Sequence, residues 1–134
     1  MTHKELIQLI GKLADQHPEN LQVRFLYADH LLADGQFRKA ESEFFLIIRE
    51  RRDFLSRAGI ARIHFEENHF EECLKILDEL DSEGFSDLNT KTLAARCFLR
   101  MAKHEQACRI YKEMLEKEPH FFEPELDAIR PSCF

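Results

Sequence analysis

Tryptophan is absent from the chain, glycine and proline occur four times each, and the cysteines Cys73, Cys97, Cys108 and Cys133 form no Cys-x-x-Cys pair. The glycines, at positions 11, 35, 59 and 84, are too scattered to build a phosphate-cradling loop or a G-x-G-x-x-G fingerprint. There is no G-x-S-x-G elbow and no H-E-x-x-H, so two common catalytic frameworks have no place to form. No run of five Lys or Arg occurs, the densest basic cluster (Arg49, Arg51, Arg52) is interrupted by Glu50, and the net charge is -6. A nucleic acid backbone requires a basic face, so nucleic acid is not expected as a partner. No apolar segment approaches the ~20 residues of a membrane span, and the opening MTHKELIQLIGKLADQ lacks the continuous apolar core of a signal peptide. A chain of this size buries a core without crosslinks, so reduced thiols and a cytoplasmic location are the simplest expectation, with a secreted disulfide framework as the alternative.

What is present is a chain of 134 residues, 44% hydrophobic and 33% charged, which suits one folded domain and argues against disorder. It also repeats itself. LYADHLLADGQFRKAESEFFLII (26–48), GIARIHFEENHFEECLKILDEL (59–80) and LAARCFLRMAKHEQACRIYKEML (93–115) align. In each, a small residue (Ala28, Ala61, Ala95) is followed twelve positions later by another (Ala40, Cys73, Ala107), and four after that by a large one (Phe44, Leu77, Tyr111). The spacing from Ala40 to Cys73 is 33 and from Cys73 to Ala107 is 34. Each unit reads as helix, turn, helix. In the first, Leu21, Leu26, Ala28, Leu31 and Leu32 keep a helical period, Gly35 supplies a permissive turn, and Phe37, Ala40, Phe44, Ile47 and Ile48 resume the period. Small residues at the paired positions let two antiparallel helices approach closely, and the large residue fills the space beside the contact.

These residues resemble the tetratricopeptide repeat family, whose pattern of about 34 residues runs W-x2-L-G-x2-Y, then A-x3-F, then P. The third unit matches best, with Ala94-Ala95, Phe98, Ala107, Tyr111 and Pro119 in register. The tryptophan position is basic throughout (Arg24, Arg57, Lys91), His64 replaces the tyrosine in the second unit, and only the third keeps its proline. The resemblance covers residues 18–119 and implies an all-α fold, a right-handed α-solenoid of antiparallel helix pairs with about seven helices.

One domain is expected, divided into a capping helix (1–17), three repeats (18–52, 53–85, 86–119) and a C-terminal cap or cut end (120–134). Thr2 with Glu5 matches a capping box, and Leu6, Ile7, Ile10, Leu13 and Ala14 make the stripe that would cover the first repeat. FFEPELDAIRPSCF is expected to form only one or two turns, because Pro131 stops a helix begun near Pro124.

The stretch HFEENHFEEC (64–73) looks at first like a cluster of metal ligands. In the repeat register, however, His64 ends one helix, Asn68-His69 form the turn, and Cys73 takes the small packing position, which predicts a buried thiol. Zinc needs three or four converging ligands, so no metal and no cofactor are expected here. Cys97 and Cys108 sit at apolar-patterned positions and read as core residues rather than nucleophiles. No catalytic residue emerges, and the chain is not expected to be an enzyme.

The leading expectation is a non-catalytic module that binds a peptide or helical segment of a partner protein. The alternative is the regulatory or targeting domain of a larger enzyme, such as an ATPase, motivated by the abrupt end at RPSCF. The resemblance implies that the concave side carries Phe25, Asp29 and Leu32 from the first repeat, Leu55, Arg62 and Phe65 from the second, and Thr92, Arg96, Leu99 and Arg100 from the third. Leu32, Phe65 and Leu99 would make an apolar stripe bordered by Asp29, Arg62, Arg96 and Arg100, suited to an amphipathic partner with acidic groups.

Overall fold

The computed structural model describes residues 1–134 and is all-α: α1 (His3–Gln16), α2 (Leu21–Ala33), α3 (Phe37–Glu50), α4 (Phe54–Glu66), α5 (Phe70–Ser82), α6 (Leu88–Arg100), α7 (His104–Lys117) and α8 (Pro124–Cys133). There is one helix more than the expected seven. Pro131 does not prevent α8: it stands near the helix end, where its missing N–H costs one backbone bond, while Pro124 and the Glu123 N-cap, whose carboxylate accepts from the Leu126 N–H, start the helix well. No helix is long and apolar enough to cross a membrane.

The turns after α2, α4 and α6 share one backbone solution, which Gly84 after α5 also adopts, with the Phe85 N–H donating to the Leu80 carbonyl at 2.9 Å. Gly35, Asn68 and Ala102 adopt positive φ (81°, 64° and 61°). Immediately after each, an N–H reaches back to close the preceding helix: Gln36 to the Leu31 carbonyl, His69 to His64 and Lys103 to Phe98, at 2.9, 2.7 and 2.8 Å. This left-handed C-terminal cap satisfies carbonyls that a helix end would leave orphaned. Glycine and asparagine tolerate it, whereas Ala102 is strained by its Cβ.

The chain divides into two compact units, Met1–Ile63 and His64–Phe134, the division falling inside α4. In the first, α1 packs on α2 and α2 on α3, with Ile7, Ile10 and Ala14, Ala28 and Leu31, and Ala40, Phe44 and Ile47 buried on the three helices in turn. Ala28 and Ala40, the predicted small pair, are wholly buried. Arg24 is also buried. Its guanidinium donates to Glu43 of α3 and to the Ala14 carbonyl of α1, the latter at 3.1 Å, so one side chain ties three helices. Gly59 of α4 lies against the Phe44 ring so closely that an added Cβ would stand 2.5 Å from its nearest carbon.

In the second unit α5 packs on α6, α6 on α7, and α8 on both α7 and α6. The reciprocal cap of Asp87 and Thr90 starts α6: the Thr90 N–H donates to the Asp87 carboxylate at 2.8 Å and the Asp87 N–H to the Thr90 hydroxyl at 3.0 Å. Cys73 of α5 and Cys97 of α6 are free and wholly buried. A hydrogen bond to Cys97, reinforced by burial, pushes the Cys73 thiol up, which keeps it protonated and unreactive. Ala95, Cys108, Tyr111, Leu115, Leu126 and Cys133 form a common core, with Phe121 and Ile129 packed against it.

The expectation of reduced thiols fails at Cys108 and Cys133, which are joined in a disulfide across a sequence separation of 25. The bond pins α8 to α7, and a closure of this length removes about 3 kcal/mol of chain freedom from the unfolded state. A ten-residue helix would be marginal alone; the bridge and the buried Leu126 hold it.

Candidate carboxylate-binding site on α6

Arg96 and Arg100 stand one turn apart on α6 and therefore point to the same side of the helix. Both guanidiniums lie over the ring of Phe65 at the end of α4, 4.7 and 5.2 Å from its centroid. A cation over an aromatic face is attracted by the ring quadrupole. Phe65 itself is 3% exposed, so what reaches the surface above it is the arginine pair rather than the ring.

The pair holds a carboxylate supplied by the chain itself. Arg100 donates from Nη2 to Oε1 of Glu125 at 2.6 Å and from Nε to Oε2 at 3.0 Å, a two-pronged grip. Arg96 donates to Oε1 from Nη2 at 2.9 Å and from Nε at 3.3 Å. Glu123, the N-cap of α8, adds a second carboxylate 3.6 Å from Arg96 Nε. The Arg100 hydrogen bond, with Arg96 behind it, outweighs partial burial and holds the Glu125 carboxyl down at about 2. Glu125 also lies in the first turn of α8, where the helix dipole favours a negative charge.

Of the residues expected in a groove, Phe65, Arg96 and Arg100 are brought together. Leu99 is half-buried beside them in sequence on α6, and Thr92, also half-buried, turns its hydroxyl back onto the Leu88 carbonyl at 2.7 Å. Phe25, Asp29, Leu32, Leu55 and Arg62 belong to the first unit. There Phe25 is half-buried with its ring 5.8 Å from that of Phe44, Leu32 is half-buried, and Asp29, Leu55 and Arg62 are exposed. Glu123 and Glu125 escaped sequence reasoning. The signal was the Glu-Pro-Glu start of the last helix, which was read as a stub rather than as a source of acids for the two arginines.

The HFEENHFEEC residues divide between two helices: His64 lies near the end of α4 with its ring 5.8 Å from that of His69, the exposed N-cap of α5, and Cys73 faces inward onto Cys97. A cleft of about 500 Å³ lies elsewhere in the second unit, with Leu74, Phe98 and Ile110 among its lining and Lys75, Lys91 and Asp78 at its rim. Its charge is mixed and the arginine pair does not line it. The arginine site is the better functional candidate because its donors converge on one ligand group. Compared with known proteins, the chain matches no family model, and no curated protein is similar to it.

Proposed function

We propose that this chain is a non-catalytic protein-interaction module of the tetratricopeptide type, a right-handed solenoid of helix pairs, and that Arg96 and Arg100 on their Phe65 platform receive an acidic side chain of a bound segment. Two observations support the architecture: the leading helices begin at Leu21, Phe54 and Leu88 and their partners at Phe37, Phe70 and His104, each series stepping by 33 and then 34 residues, and the left-handed turn recurs in the same register. The observation that carries the binding reading is the grip on Glu125. Two guanidiniums fixed over a ring and already engaging a carboxylate are pre-organised for that chemistry, which lowers the ordering cost of binding. In this reading Glu125 stands in for the partner's acid, and a ligand must displace it.

The test uses a fluorescent synthetic peptide copying residues 120–130, with its Glu123-Pro124-Glu125 acids, offered in trans to the full chain. Glu125→Ala, which leaves the arginines open, should bind the peptide at least tenfold more tightly than wild type, a gain of about 1.4 kcal/mol or more. Arg96→Glu added to Glu125→Ala should abolish binding, while Lys12→Glu, the same charge reversal on the exposed face of α1, should leave it unchanged. Equal affinity for all of these chains would defeat the proposal.

A further inference from the structure

His104, Cys108 and Cys133 place an imidazole nitrogen and two sulfurs within 4.8 Å of one another where α7 meets α8. His104 and Cys108 are four residues apart on one helix and so share a face; Cys133 is delivered by the end of α8, at a Cα–Cα distance of 5.2 Å from Cys108. We infer that, when the disulfide is reduced, these three residues form a binding site for a thiophilic divalent cation, Zn2+ being the ion whose ligand preferences they fit.

Tetrahedral zinc with Zn–S near 2.3 Å and Zn–N near 2.0 Å needs its ligand atoms about 3.5–3.8 Å apart. The sulfurs reach that separation by side-chain rotation once the bond between them is cut, and the imidazole nitrogen, within 4.8 Å of both, closes the remainder by a small rotation of its own. The hydrogen bonding around His104 prepares it as a ligand. The Ser132 hydroxyl donates to the Ile129 carbonyl at 2.7 Å, so its oxygen accepts from His104 Nε2, which lies 2.8 Å away. A proton on Nε2 leaves the lone pair on Nδ1, the neutral tautomer that binds metal, with Ser132 as its orienting partner. Cys108 and Cys133 are 7% and 6% exposed among Tyr111, Leu115 and Leu126, surroundings that disfavour a bare thiolate and give the cation a stabilising role. His104 is exposed, so the ion has an entry path and water completes its fourth position.

The chemistry balances in two steps. A dithiol reductant attacks the disulfide through a mixed disulfide and leaves as its own cyclic disulfide, delivering two electrons and two protons to yield Cys108 and Cys133 thiols. Zn2+ then replaces the two thiol protons, which pass to water, and the bis-thiolate–imidazole site is electrically neutral. Either the covalent bond or the ion would hold α8 against α7.

The experiment takes the full chain, reduces it with a dithiol, removes the reductant under argon and titrates Co2+ as a spectroscopic probe. One equivalent should produce a thiolate-to-cobalt charge-transfer band and the intense visible bands of a tetrahedral ion, and Zn2+ should bleach both. The oxidised chain should produce neither. Cys133→Ser should lose the charge-transfer intensity of one thiolate, and His104→Ala, a change at an exposed position that does not threaten folding, should weaken Co2+ at least about tenfold. Cys73→Ser should change nothing. Absence of the charge-transfer band in the reduced chain, the same bands in the oxidised chain, or unaltered binding by His104→Ala would overturn the site.

Discussion

Replacing Glu125 by Gln removes one charge and keeps the size and one acceptor oxygen of the side chain. In the folded protein that carboxylate accepts four N–H contacts from two arginines, at 2.6 to 3.3 Å, and its pKa is held at about 2 against an ordinary 4.5. Taken at face value, that difference corresponds to about 3 kcal/mol. The side chain is 28% exposed and Arg100 is 41% exposed, so solvent screening reduces the expected effect to about 1 kcal/mol. The sign follows from the depressed folded pKa: the contribution is fully present above about pH 4.5 and is lost as the pH falls toward about 2. Urea unfolding of wild type and Glu125→Gln across this range reads the term as the difference between two chains that differ at this one side chain. The stability difference should be about 1 kcal/mol at neutral pH and shrink toward zero at the acid end, with faster hydrogen exchange at the Leu126 and Ile129 amides of α8 in the variant. A difference that did not change with pH, or none at neutral pH, would refute the assignment of Glu125 as the ligand of the arginine pair.

Other consequences concern the helix contacts. Glu43→Ala should cost about 3 kcal/mol, because it strands the buried Arg24 charge, whereas changing both Arg24 and Glu43 to Met should recover most of that loss; thermal melts of the three proteins decide it. Ala102→Gly should stabilise by about 0.5–1 kcal/mol, the relief of left-handed strain being partly offset by the freer unfolded chain, and a higher midpoint in urea is the readout. Gly59→Ala gains helix propensity of about 1 kcal/mol but drives a methyl group into the wholly buried Phe44 ring, so a net loss of about 1 kcal/mol or more and a lower Tm are expected.

The all-α class, the helix–turn–helix spacing and the burial of Ala28, Ala40, Cys73 and Ala107 were legible in the sequence because each depends on short-range periodicity. An apolar face recurs within a helix turn, and a glycine or asparagine between two periodic runs, as at Gly35 and Asn68, marks a turn that takes a left-handed residue. Ala102 shows the limit of that rule: nothing in its side chain advertises a positive φ, and only its place in the turn between α6 and α7 imposes it. The tertiary structure decided the rest. Pro131 ends a helix by local rules, yet α8 continues through it because Leu126 is buried and Cys133 is bonded to a residue 25 positions away. The spacing of Arg96 and Arg100 announced a pair of cations on one face, but it did not say that Glu125 would fill them. Which acid meets which base, and which cysteine meets which, depends on how α8 lies against α6 and α7, and packing between elements distant in sequence leaves no period to read.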